Sequence, residues 1–172
     1  MLGASRARVR AALAHRESDR IPFDLGGTRV TGIHARAYER LRPALGLEPR
    51  EARIADVTQQ LADVEPDVLD ALGVDVRCLS PRGSSTYRRE IREDGEYRTF
   101  VDEWGVGRRM PLAAALYYDS YAPPLAGEID RAAIAAYAWP NPADPARYAG
   151  MAEEARRYTE SWEIGSWLPG ST

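Results

Sequence analysis

Hydrophobic and polar positions along the chain follow two periods, and the switches between them mark out the predicted elements. Val9, Ala12 and Leu13 share a face of a predicted helix from Ser5, its N-cap, to His15. Ile21 to Leu25 is a short apolar run that reads as a first strand, delivering Asp24 and Gly26-Gly27 to a loop. Ile33, Ala37, Tyr38, Leu41 and Leu45 recur at three- and four-residue spacing and predict a helix stopped at Gly46. Ile54, Val57, Leu61 and Val64 predict a third helix, and Glu65-Pro66 restarts a short one that ends before Gly73. Val74 to Leu79 reads as the next strand.

Beyond that strand the period shortens. Tyr87 to Glu93 and Glu96 to Val101 are β-prone runs flanking Asp94-Gly95, which predicts a tight hairpin. Trp104-Gly105-Val106 continues this sheet-like insert, and Met110 to Pro124 reads as loop or short strand. Asp130 caps a predicted helix to Tyr137, Asp144-Pro145 opens another to Tyr158, and Trp162 to Trp167 reads as a last strand. With no repeat and no low-complexity tract, residues 1–172 read as one domain with a hairpin excursion.

Composition narrows the function classes. A net charge of −3 lacks the basic footprint of a nucleic-acid or membrane-surface binder, and no apolar run approaches the length of a membrane span. Cys78 stands alone, so no disulfide framework is expected, and a cytoplasmic location is the default expectation. All 23 basic residues are arginine. Schiff-base chemistry and a phosphate-loop lysine are therefore excluded within this chain.

The motifs carry a resemblance. Asp19-Arg20-Ile21-Pro22 after an N-terminal helix, Gly32-Ile33, Ala37 to Leu41, and Gln59-Gln60-Leu61-Ala62 come in order. Asp67-Val68-Leu69 leading to Leu72-Gly73-Val74-Asp75, Asp102-Glu103-Trp104-Gly105, Pro124-Leu125-Ala126 and Trp139-Pro140 follow. Together they resemble the uroporphyrinogen decarboxylase superfamily, closest to its methyltransferase-like or uncharacterised members. The resemblance implies an α/β fold: part of a (β/α)8 TIM barrel, with an antiparallel hairpin insert around residues 86–106. It implies that the chain corresponds to the N-terminal portion of that barrel, incomplete as it stands.

By the same resemblance, the intact parent acts on a tetrapyrrole or a methyl-corrinoid, with zinc and a corrinoid as cofactors of a full-length methyltransferase relative. No cofactor and no metal ligand set is expected within this chain, and no catalytic residue is assigned. The alternatives are porphyrinogen decarboxylation itself, or a non-catalytic partner subunit or truncated remnant. A second chain completing the barrel, or a homo-oligomer, is the expected partner.

The resemblance also has gaps. The decarboxylase's arginine-rich motif after its first proline is represented here only by Arg29, and Cys78-Leu79-Ser80-Pro81-Arg82 stands where it places an aspartate. True decarboxylation is disfavoured on that account. Asp24, Arg29, Ser80 and Arg82 are the candidate substrate-binding residues at the mouth of the site. Each also has a plainer reading. Asp24 can close its own turn, and Arg29 can be a solvated or locally paired cation. His34 reads as a surface or mouth-lining residue rather than a metal ligand, and Cys78 as a small buried hydrophobe. Tyr117, Tyr118, Trp104, Trp139 and Trp167 can stack on a planar ring or simply pack.

Overall fold

The computed structural model describes residues 4–159 and 163–166. They form a mixed α/β structure of five α-helices, two 3₁₀ turns and eight strands. Helix α1 (Ala4–Leu13) is followed by a 3₁₀ turn at Arg29–Thr31 and by α2 (Ala35–Ala44). A small antiparallel pair, β1 (Ile54–Asp56) and β2 (Leu61–Ala62), leads to α3 (Pro66–Leu72) and then β3 (Val76–Leu79). The chain next builds a four-stranded antiparallel meander from β4 (Arg92–Asp94), β5 (Tyr97–Val101), β6 (Gly107–Pro111) and β7 (Asp119–Ala122). It returns through α4 (Arg131–Ala136), a 3₁₀ turn at Pro145–Tyr148 and α5 (Met151–Thr159). The return ends in β8 (Glu163–Ser166), which pairs in parallel with β3.

Local chemistry explains most of these elements. In α2, His34 caps the first turn by accepting from the Arg36 N–H, and Ala35, Tyr38 and Arg42 form the buried face. Pro66 opens α3 without losing a bonded N–H, and Gly73 ends it in the left-handed region at φ 65°. The β4–β5 turn places Gly95 at φ 57° as its first central residue, with Asp94 paired to Tyr97. Glycine at that position suits a two-residue hairpin turn whose twist matches the strands.

The core lies in two parts. Tyr38, Ala62 and Val68 form one, packed by Ile33, Leu41, Leu45, Val64 and Leu72. Phe100, Met110 and Tyr118 form the other, with Val57 reaching over from the β1–β2 turn. Two hydrogen bonds lock the two together: Tyr118 N–H to Thr58 O at 2.7 Å, and the His34 side chain, through Nε2, to Leu116 O at 3.0 Å.

Several expectations are corrected. The described residues form no closed barrel; the parallel β3–β8 pair is their one barrel-like feature. Ile21 to Leu25 is not a strand. Pro22 removes a ladder donor, Ile21 is 86% exposed, and Asp24 folds the chain back by accepting from the Gly27 N–H and Thr31 Oγ1. The segment still lies beside the start of β3, through Asp75 N–H to Phe23 O at 2.8 Å.

Residues 54–64 are two short strands rather than a helix. Asp56 Oδ1 accepts from the Gln59 N–H and Gln60 sits at φ 55°, so the turn wins over weak helix formers such as Ile54, Val57 and Thr58. Helix α1 buries Arg8, while Leu13 is 74% exposed. Gly150, at φ 83°, divides the expected Asp144–Tyr158 helix into its two pieces. The insert expected over 86–106 extends through β7 to Ala122. Trp162 and Trp167, the expected ends of the last strand, lie outside the described residues.

Candidate functional site

Strand β3 sends its chain into Ser80-Pro81-Arg82-Gly83, and this loop meets the Gly26–Gly32 loop at a cleft of about 480 Å³. The mouth of a parallel strand is where α/β proteins gather functional groups. Gly26 and Gly27 let the first loop come this close. A Cβ on Gly27 would stand 2.4 Å from Asp24 Oδ1 and 2.7 Å from Val76 Cγ1. Asp24 therefore shapes the wall from behind, as the carboxylate that closes its own turn, while Arg29, Ser80 and Arg82 border the cleft itself.

The segment leading into the meander supplies another wall with Tyr87 and Arg89, joined by Glu103 from the β5–β6 turn. Arg147, 3% exposed, lies behind it, donating to Glu103 Oε1 at 2.5 Å and to Asn141 O at 3.0 Å. The Arg82 N–H bonds Arg147 O at 2.9 Å, so the loop after β3 is tied to the returning chain. Asp144 reinforces the tie. It accepts from the Ser85 N–H, Ser84 and Ser85 hydroxyls and the Ala146 N–H, and these donors hold its pKa down to about 2.

Charge around the cleft is mixed. Arg29 Nε lies 3.1 Å from Asp56 Oδ2, and Arg53, outside the cleft, takes Asp63 at 2.5 Å. Burial lowers the Arg29 pKa and Asp56 opposes it, and a guanidinium remains charged under both influences. Among the described residues, no carboxylate pairs with Arg82 or Arg89; Arg89 spreads its guanidinium over the Phe100 ring at 5.2 Å. These two arginines are therefore available to an anionic group. Glu154 brings one negative charge to the same lining.

Cys78 borders the cleft with Sγ 3.1 Å from Ser80 Oγ. It is exposed rather than buried, yet the atoms packed around its sulfur push the thiol pKa up, outweighing the Ser80 contact. The group is a neutral thiol near pH 7. His34 lies elsewhere, with both ring nitrogens engaged: Nδ1 accepts from the Arg36 N–H and Nε2 bonds Leu116 O. Trp104, Tyr137 and Trp139 pack edge to face, the Tyr137 hydroxyl bonding Trp104 O and Trp139 Nε1 donating to Ile134 O. Tyr118 is buried against Phe100. Packing accounts for these aromatic groups; Trp167 lies outside the described residues.

Among the described residues, no three His, Cys, Asp or Glu side chains come together as a metal site, and no helix is long and apolar enough to cross a membrane. Of the four candidates named from the sequence, Arg29, Ser80 and Arg82 border this cleft, Arg29 without the strand expected before it. Asp56, Tyr87, Arg89, Glu103 and Arg147, which no sequence pattern marked, reach the cleft only through tertiary folding. Comparison of the chain with protein-family models, curated proteins and solved structures gives no match.

Proposed function

We propose that this chain binds the anionic end of a small molecule in the cleft after β3, as the substrate-binding portion of a uroporphyrinogen-decarboxylase-type protein of the methyltransferase-like branch. One observation carries the reading: loops 26–32 and 80–83 converge at the C-terminal end of β3, with Arg82 and Arg89 bordering the cleft and lacking carboxylate partners among the described residues. The cleft volume suits a small organic ligand. The order of the sequence motifs supports the superfamily, and so does the parallel β3–β8 pairing.

Within this reading Arg82 and Arg89 bind a carboxylate or phosphate, and Ser80 can donate a further hydrogen bond. Arg29, already beside Asp56, holds the Gly-rich loop wall in place. The family's zinc has no ligand set among the described residues. Methyl transfer is preferred to porphyrinogen decarboxylation, because Arg29 alone stands for the decarboxylase's arginine-rich motif and residues 78–82 carry no carboxylate.

Titration calorimetry with uroporphyrin and with methylcobalamin tests the proposal. One of the two is expected to bind, and Arg82→Ala to weaken it by about tenfold, the loss of a charge-assisted hydrogen bond. Absence of binding by both, or binding indifferent to Arg82, would overturn it.

A further inference from the structure

Strand β5 offers more edge than β4 covers. β5 pairs with β6 as far as Val101↔Gly107, whereas its pairing with β4 stops at Arg92↔Thr99. Residues 86–91, which lead into β4, belong to no helix or strand. Among the described residues, no backbone–backbone hydrogen bond involves 86–90. The segment is a strap fixed at its ends, where Asp144 takes the Ser85 N–H and where Arg92 enters β4. Between those ends, side chains hold it to β5. The Tyr87 hydroxyl donates to Val101 O at 2.7 Å, and Arg89 lies over the Phe100 ring.

The register shows what else the strap can do. Asp94 and Tyr97 close a two-residue turn, so they exchange both backbone hydrogen bonds, and such pairs recur at every second residue. Arg92↔Thr99 is the next of these pairs, and the one after it falls at Glu90↔Val101. The Asp102 N–H bonds Val106 O on the β6 side, so Val101, one residue earlier, turns its N–H and C=O toward the strap. The acceptor that a longer β4 gives to the Glu90 N–H is therefore Val101 O, the carbonyl now held by Tyr87.

Side-chain alternation along the strap already matches a strand. Arg88, Glu90 and Arg92 line a hollow of about 520 Å³ with Thr99, Val101 and Tyr121, while Arg89 borders the cleft. Tyr87 borders both, so the strap stands between them.

We propose that residues 86–91 form a two-position gate: the strap walls the cleft while the Tyr87 hydroxyl holds Val101 O, and it zips onto β5 as an extension of β4 when the Glu90 N–H takes that carbonyl. Zipping exchanges one side-chain hydrogen bond for two between backbones, Glu90 N–H to Val101 O and Val101 N–H to Glu90 O. It moves the strap into the hollow and withdraws Tyr87 and Arg89 from the cleft wall. The gate sets access to the cleft and is independent of what the cleft binds.

Amide exchange in the full chain, read by NMR, tests the gate. Tyr87→Phe removes the hydroxyl and keeps the ring. The strap then zips, and the Glu90 and Val101 amides are expected to exchange about fivefold more slowly than in wild type, the worth of one neutral hydrogen bond. A Tyr87 that merely anchors the strap gives the opposite sign, because losing the anchor speeds exchange. Faster or unchanged exchange overturns the proposal.

A second readout fixes the register. Arg89 and Asp102 face each other closely only when β4 is extended, so an Hα–Hα contact between them is expected in Tyr87→Phe. Its absence overturns the zipped position. Cys78, the chain's single cysteine, borders the cleft and reports opening. A bulky maleimide is expected to label it faster in Tyr87→Phe than in wild type. Labelling that is equal or slower overturns the gating role.

Discussion

Asp75 is fully buried at the entry to β3 and gathers donors from separate parts of the chain. Arg8 of α1, Arg20 and the Phe23 N–H all bond its carboxylate. Burial alone would raise its pKa; the Phe23 N–H, the Ser5 hydroxyl, Arg20 and Arg8 outweigh it and bring it below the usual value. Removing one partner of a buried ionic group leaves the others uncompensated. Asp75→Ala is therefore expected to cost about 3 kcal/mol in urea unfolding, and Asp75→Asn less. A loss under ~0.5 kcal/mol, the level of an ordinary surface substitution, would mean that α1 is not anchored here. At this scale the sequence is a partial guide. Arg20 and Asp75 both sit in motifs that carried the resemblance, yet nothing in their spacing joins them, and Arg8 looks like one arginine among many on a basic helix. A bond between residues 67 positions apart exists only after folding.

Elements specified by local chemistry were legible, and those decided by side-chain capture were not. Gly95 at φ 57° suits its turn because it has no Cβ, so Gly95→Ala is expected to cost about 1–2 kcal/mol by thermal or urea unfolding, with Gly95→Asn milder. Equal stability of the alanine variant would refute the positive-φ turn. The β1–β2 turn shows the other case, since apolar spacing at 54–64 fits a helix until Asp56 captures Gln59. The return segment depends on capture as well. Asp144 is held near pKa 2 by the loop at Ser84-Ser85, against 3.8 for the free group. Because the folded value is the lower one, its contribution is complete above about pH 4 and fades as pH falls toward 2. Asp144→Asn should thus be less stable than wild type at pH 7, with the gap narrowing through that acid window. A gap independent of pH would place the effect outside the carboxylate.

The molecule as a whole is held by arginine–carboxylate networks alongside a modest apolar core. Arg42, fully buried, binds Glu65 and both oxygens of Asp67; Arg77 takes Asp70, and Arg147 takes Glu103. All 23 basic residues are arginine, and the folded chain uses the guanidinium fork, which a lysine cannot reproduce. Four carboxylates have depressed pKa values, three of them in arginine ties. Arg8 lowers Asp19 to about 2, Arg42 lowers Asp67, the donors around Asp75 lower it, and Ser85 leads the group that lowers Asp144. All four shifts have the same sign, so each contribution is present above about pH 4 and lost as protons bind below it. Salt acts differently, because ions screen exposed pairs far more than buried ones. The expected outcome is a cooperative loss of the circular-dichroism and tryptophan signals between about pH 4 and 2, together with only a small change in urea midpoint from 0.1 to 1 M sodium chloride. A chain that kept its fold at pH 2, or lost most of its stability in salt at pH 7, would show that the ion pairs are not what ties α1 to Asp75, α2 to α3 and Glu103 to the returning chain.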